Sequence, residues 1–310
     1  MATGPVPKIM KQGRVAPWLY VGPALIIMLV FVVYPTFSTL GLSVLDQQGQ
    51  ESAASTCRAG EPCWGILENY RHALTDAPML LAFRNNLLWI LLMVSGSVLL
   101  GLFIAVMVDR VKYESLAKAL IFMPMAISFV GAGVIWRFIY DYQSPPGEQV
   151  GLLNAIITGL GGEPIPWITR GPWINNVALI VVGNWIWTGF CMTILSAALK
   201  GVPDEILEAS RMDGATEWQV FWRVMVPMIA PTITVVITTM IINVLKIFDI
   251  VYVMGQGQPG VQVIATRMYQ EQFIKFDSGY SAAIAVVLIL AIVPIGYINI
   301  RRFREQEAIR

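Results

Sequence analysis

An all-α membrane protein of six transmembrane helices is the fold class this sequence predicts, and three observations predict it. Hydrophobic residues make up 56% of the 310, charged residues only 13%, and the mean hydropathy is +0.65. A soluble domain carries about a quarter charged residues. Uncharged stretches run over 15–45, 85–108, 119–136, 171–199, 224–245 and 278–300. Each is near or above the roughly 20 residues that cross hydrocarbon as a helix. The runs are continuous, whereas a membrane β-barrel needs alternation, which argues against a barrel. The spans are therefore placed at about 17–45, 85–108, 118–139, 173–199, 228–254 and 278–300, in one membrane domain over 15–300 between tails 1–14 and 301–310.

Lys and Arg are retained on the cytoplasmic side of a membrane. Tail 1–14, loop 109–118, loop 200–223 and tail 301–310 hold thirteen of them, against six in loops 46–84, 140–170 and 255–277. Both termini are thus expected to be cytoplasmic, and the polar loop 200–227 with them. The net charge of +1 conceals this polarity and makes no case for nucleic-acid binding.

The first run follows a basic start and extends from Val15 to Leu45, too long for a secretory signal and without a small-x-small cleavage site, so it is read as a retained span. The loop after it holds Cys57 and Cys63 around a Gly-Pro turn; on an oxidising face they would form a small disulfide, and otherwise they are two free thiols. His72, the one histidine, reads as a surface residue, and Cys191 inside the fourth span as a small apolar packer. Pro124 should kink the third span, and Gly131 and Gly133 permit close helix approach there. Loops 140–172 and 255–277 are dense in Pro and Gly and are either rigid docking surfaces or plain connections. Lys246 and Asp249, three apart on the fifth span, share a helical face. Charges there are costly, so they form an ion pair between helices or the wall of a polar pathway.

Between spans four and five lies a polar island. Pro203 suits the first position of a helix, and Asp204 and Glu205 complement its positive end. That helix should stop at Asp213-Gly214, and Thr216 with Gln219 three residues later forms a capping box that restarts the chain. The second helix carries Trp218, Phe221, Trp222 and Met225 in one apolar stripe, and Pro227 and Pro231 lead into the next span. On periodicity alone the island equally fits an amphipathic segment on the bilayer surface.

Glu208-Ala209-Ser210, three residues, Gly214, nine residues, then Val224-Met225-Val226-Pro227 resembles the "EAA" loop of membrane subunits of binding-protein-dependent ABC importers, which reads Glu-Ala-Ala, three residues, Gly, nine residues, Ile-x-Leu-Pro. Ser210, Val224 and Val226 are mild departures. Asn184 to Phe190, Phe248 to Tyr252 and Phe276 to Ala283 resemble the carbohydrate branch, typified by the maltose permease, and the likeness spans roughly Tyr70 to Ile300.

The resemblance implies a type I ABC importer-like fold in the cytoplasmic membrane of a bacterium or archaeon, and an ATP-driven permease for a carbohydrate, an α-glucoside such as maltose or trehalose being favoured. It implies as partners a second permease subunit, two copies of a cytoplasmic ATPase and an external substrate-binding protein, with ATP and magnesium bound by the ATPase and no cofactor in this chain. Glu208, Ala209, Ser210, Arg211, Asp213, Gly214 and Ala215 would form the ATPase-coupling element. By polarity and position, not by a motif, Asn184, Trp187, Thr188, Asn243, Lys246, Phe248, Asp249 and Tyr252 are candidates for the substrate pathway, because sugars are held by amides, carboxylates and aromatic faces.

No Gly-Lys dipeptide occurs, so there is no P-loop, and neither His-Glu-x-x-His nor Gly-x-Ser-x-Gly is present. No catalytic residue and no metal site are assigned, and the chain is read as not an enzyme. The alternative is an ATPase-independent channel or secondary transporter for small polar solutes; against it, no duplicated half is visible.

Overall fold

The computed structural model describes residues 16–46, 63–64, 66–109 and 111–307. Cys57 lies outside them, as do residues 1–14 and 308–310 of the two tails. Apart from a two-residue antiparallel pair, β1 (Leu45–Asp46) with β2 (Cys63–Trp64), the regular structure among the described residues is helical.

Among the described residues five helices are long and apolar enough to cross a membrane, and a sixth span is reached when one sharply bent pair is counted as a single broken span. In chain order they and the shorter helices are α1 (Trp18–Leu42), α2 (Ile66–Thr75), α3 (Ala77–Val108), α4 (Glu114–Ala126), α5 (Phe129–Ile139), α6 (Leu152–Gly159), α7 (Pro172–Lys200), α8 (Asp204–Met212), α9 (Glu217–Leu245), α10 (Asp249–Gly255), α11 (Ile264–Phe273) and α12 (Ser278–Glu307).

Two expected spans are broken. The third does not merely kink: α4 and α5 meet at 97°. Pro124 tightens Met123–Ala126 into a 3₁₀ turn, Ile127 and Ser128 are extended, and the Ser128 hydroxyl accepts from the Gly131 N–H as the N-cap of a new helix. The fifth span stops at Leu245 and resumes at Asp249, with Phe248 at φ −134° and ψ −58° between them. Lys246 and Asp249 therefore flank a break and do not share a helical face. Beyond their breaks, α5 and α10 pack together, and Gly133 makes this possible: a Cβ there would lie 3.1 Å from Val253 Cγ1.

The core forms between α3, α7 and α9, around Trp89, Met93, Leu179, Ile186, Met192 and Met240. Its tightest seam joins α3 to α7, where a Cβ on Gly101 would sit 2.6 Å from Cys191 Cβ and 2.8 Å from the Met192 nitrogen. Small residues let helix backbones approach in a bilayer, where no hydrophobic force pulls helices together. Gly101→Ala is thus expected to lower stability in detergent by about 1–3 kcal/mol through overpacking, read as a fall in melting temperature. An unchanged melting temperature would show that the seam can open without cost.

At the far end from the polar island, α11 and its leading loop are sunk into the bundle. Buried Asn85 donates to the Gly260 and Gln262 carbonyls at 3.0 and 2.8 Å, Asn176 donates to Gly260 at 2.9 Å, and Asn86 accepts from the Ile264 N–H at 2.8 Å. Arg267, nearly buried, pairs with Glu271 at 2.5 Å and reaches Asp76 at 3.4 Å. The segment 261–267 is thus an anchored part of the fold, while the Pro-rich turn at 144–147 is exposed. His72 is exposed and its ring meets Tyr280 at 4.5 Å. Among the described residues, α1 packs on the rest mainly through its C-terminal end against α12, leaving an apolar surface that lipid or another membrane protein must cover.

Candidate functional site

The polar island folds into an elbow. Pro203 is the N-cap of α8 instead of its first residue, and the acidic first turn and Arg211 in the last turn suit the helix dipole. The helix ends in a Schellman motif: Gly214, at φ +82°, donates to the Arg211 carbonyl at 3.0 Å, and Ala215 donates to Ser210 at 3.2 Å. Thr216 and Gln219 make the capping box that opens α9. Leu207 packs on the core, so α8 is moored on one side. Glu208, Ala209, Asp213 and Gly214 are exposed on the other.

Arg211 is less available than the sequence implies. Its Nε lies 2.7 Å from Glu217 Oε1, a bridge across the bend that raises the guanidinium above its usual range. Met212, 88% exposed, was missed by sequence reasoning; its signal is a large apolar side chain alone at the tip of a polar island.

The elbow is tied to the bundle by charge and by one long helix. Lys118 of α4 pairs with Glu114 at 2.6 Å and with Asp109 beyond α3 at 2.8 Å, Lys200 of α7 reaches Glu114 at 2.5 Å, and Ser196 donates to Asp109 at 2.7 Å. These contacts fasten three helix ends beside the elbow. The Trp218, Phe221, Trp222 and Met225 stripe faces α3 across an apolar groove of about 610 Å³. From there α9 runs unbroken through Pro227 and Pro231, with a π-helical turn at Phe221–Met225 that loosens the backbone ahead of Pro227. Its 29 residues, about 43 Å at 1.5 Å each, end beside Lys246.

At that end the breaks in spans three and five meet at a cavity of about 110 Å³. Five of the sequence candidates line it: Trp187, Asn243, Lys246, Phe248 and Asp249. Three do not. Asn184 lies over Gly96 and accepts from the Ser97 hydroxyl at 2.8 Å, which places it in the α3–α7 seam, and Thr188 donates back within α7 to the Asn184 carbonyl at 2.6 Å. Tyr252 stacks on Phe248 outside the cavity, centroids 5.0 Å apart.

Met93 and Phe129 complete the wall; Phe129 stacks near Trp187 at 6.2 Å and enters only because the chain turns at Ser128. Among the described residues neither Lys246 nor Asp249 has an ion-pair partner, which overturns the interhelical pair. Lys246 instead sits at the negative end of α9 and Asp249 at the positive end of α10, where helix dipoles favour each charge. A helix break that frees backbone groups beside unpaired charges can hold a polar solute by hydrogen bonds.

Comparison with known proteins agrees with this architecture. The chain is 50% identical to the "Osmoprotective compounds uptake permease protein GgtC" of Synechocystis sp., across 94% of this chain and 100% of that one. It is 47% identical to the "Alpha-glucoside transport system permease protein AglF" of Rhizobium meliloti, across 94% and 84%. A solved bacterial ABC transporter involved in the import of the acidic polysaccharide alginate matches the fold with a TM-score of 0.74 at 20% identity, covering 92% of this chain and 95% of that one. Residues 97–300, which include the elbow and all of the cavity wall except Met93, match the model of a family described as "Binding-protein-dependent transport system inner membrane component". This chain is a multi-pass membrane protein that belongs to the family of binding-protein-dependent transport system inner membrane components.

Proposed function

We propose that the chain is the permease subunit of an ATP-driven importer of α-glucosides or closely related sugars. It sits in the cytoplasmic membrane of a bacterium or archaeon with both termini inside. Its partners in this reading are a second permease, a pair of cytoplasmic ATPases that bind ATP and magnesium, and an external sugar-binding protein. The observation that carries the sugar reading is the 47% identity to an α-glucoside permease over nearly the whole chain. The elbow supports the mechanical part. Closure of the ATPases would press on α8, and α9, continuous from the elbow to Leu245, would carry that displacement to Lys246 and the cavity wall. Alternating access then follows from the different sugar affinities of the two arrangements.

The test is uptake of radiolabelled maltose and trehalose by vesicles holding the complete complex. Uptake is expected only with ATP on the elbow side and a loaded binding protein on the other. Uptake that persists without ATP would establish the channel or secondary-transporter alternative instead.

A further inference from the structure

The small cavity has room for a few waters but not for a sugar ring, which leaves open where on this chain a sugar is first held. A second hollow of about 340 Å³ adjoins it, bounded by Phe248, Tyr269, Met268, Ala265, Leu288 and Lys246. Ligand pockets begin at about 300 Å³. The larger hollow reaches that size and the smaller does not. Lys246 and Phe248 line both, so the two are neighbours across one ammonium and one ring.

The hollow opens onto a ladder of aromatic rings. Phe248 lies 5.2 Å from Tyr269, which in turn lies 4.8 Å from Phe273, and Tyr252 closes the group at 5.0 Å from both Phe248 and Tyr269. The rungs come from Phe248 at the N-cap of α10, from α10 and from α11, at the opposite end of the molecule from the elbow. Phe273, 60% exposed, is the outermost. The Tyr252 hydroxyl beside it raises the Tyr269 phenol above its ordinary value.

We infer that this hollow and its ladder form an outer sugar subsite, in which a neutral hexopyranosyl unit rests before it passes Lys246 toward the broken spans. The inference rests on the carbohydrate reading above and goes further by placing the loading position on α10 and α11. The chemistry suits that occupant. A pyranose presents apolar C–H faces and a rim of hydroxyls, and the hollow answers with aromatic and aliphatic walls, one ammonium and one phenol. No carboxylate lines it; Asp249 faces only the smaller cavity. A cationic solute would find nothing here to neutralise it. The rings also explain the exposure of Phe273: at the outer end of a track, an aromatic face in contact with water is where a sugar first exchanges its hydration for stacking.

The test uses the complete complex in vesicles and reads two quantities together, maltose or trehalose taken up and ATP hydrolysed. In Tyr269→Leu the aliphatic volume is kept and the ring removed. ATP hydrolysis stimulated by the binding protein should persist, because neither the elbow nor α9 is touched. Sugar carried per ATP should fall about tenfold, the effect of losing one good ring contact. Tyr269→Phe, which keeps the ring, should retain most of the ratio. Phe273→Leu, at an exposed position where folding is not at stake, should lower the ratio in the same sense.

A packing role for Tyr269 predicts the reverse, tolerance of Leu with uptake and hydrolysis changing in step. An unchanged ratio in both leucine variants, with wild-type uptake intact, would overturn this proposal alone. Wild-type uptake of neither sugar would overturn the carbohydrate reading and this proposal with it.

Discussion

Gly214→Val is expected to abolish most uptake while all six spans still insert and the chain remains folded. The argument is conformational. Gly214 sits at φ +82°, and nothing lies within 4 Å of where its Cβ would be. Steric clash with neighbours is therefore absent, and the whole effect falls on the backbone. An L-residue in left-handed conformation costs about 1–2 kcal/mol, and a β-branched one belongs at the upper end or beyond. At about 2 kcal/mol the bend is depopulated by a factor of roughly 30, and with it the angle between α8 and α9.

Gly214→Asn should keep most uptake, because Asn tolerates the left-handed region. Both variants place a side chain of similar size at the same open position and differ in their tolerance of the left-handed backbone. The measurement is ATP-dependent uptake beside the yield of folded complex. Equal, wild-type uptake in Val and Asn variants would mean that the bend transmits nothing.

Lys246 and Asp249 give the second large effect. Replacing Lys246 with Met, or Asp249 with Asn, should cut uptake about ten- to a hundredfold, corresponding to about 1.5–3 kcal/mol for a hydrogen bond from a charged group to a solute. Folding should be nearly unaffected, since neither charge holds a partner among the described residues. The double variant discriminates the two roles: independent contacts to a solute leave the losses roughly additive, whereas an ion pair would let the second substitution rescue the first. Uptake with each single and the double variant decides this, and rescue would restore the ion-pair reading.

Much of this fold was readable because its signals are local and chemical. Hydropathy marks a span by composition alone, and six apolar runs stand out whatever the helices do inside them. The elbow was equally legible, since Gly214 needs a left-handed residue and Thr216 with Gln219 is a cap written in two side chains. The helix breaks were not. Ser128 lies within an apolar stretch where a single hydroxyl is unremarkable, and only the structure reveals it capping Gly131. Likewise apolar residues continue past Lys246, so hydropathy is blind to the interruption there.

The candidate site inherits these blind spots. Residues chosen for polarity near the fifth span reached the cavity, because the break concentrates them there. Asn184, chosen on the same grounds, is a strut of the α3–α7 seam, an assignment that depends on Gly96 and Ser97 from another helix, and the Thr188 hydroxyl bonds back within α7. Phe129 and Tyr269 could not be chosen at all, since their places depend on a 97° turn and on an anchored loop, both features of tertiary packing.

The claim beneath all of this is that the elbow faces the cell interior and is gripped there by an ATPase. Labelling of Ala209→Cys with a membrane-impermeant maleimide, in a chain carrying Cys57→Ser and Cys63→Ser, tests it directly; Cys191 is fully buried and should stay silent. The expected result is labelling only from the cytoplasmic side of the membrane, and protection when the ATPase subunit is bound. Labelling from the outer side, or no protection by the ATPase, would contradict the account.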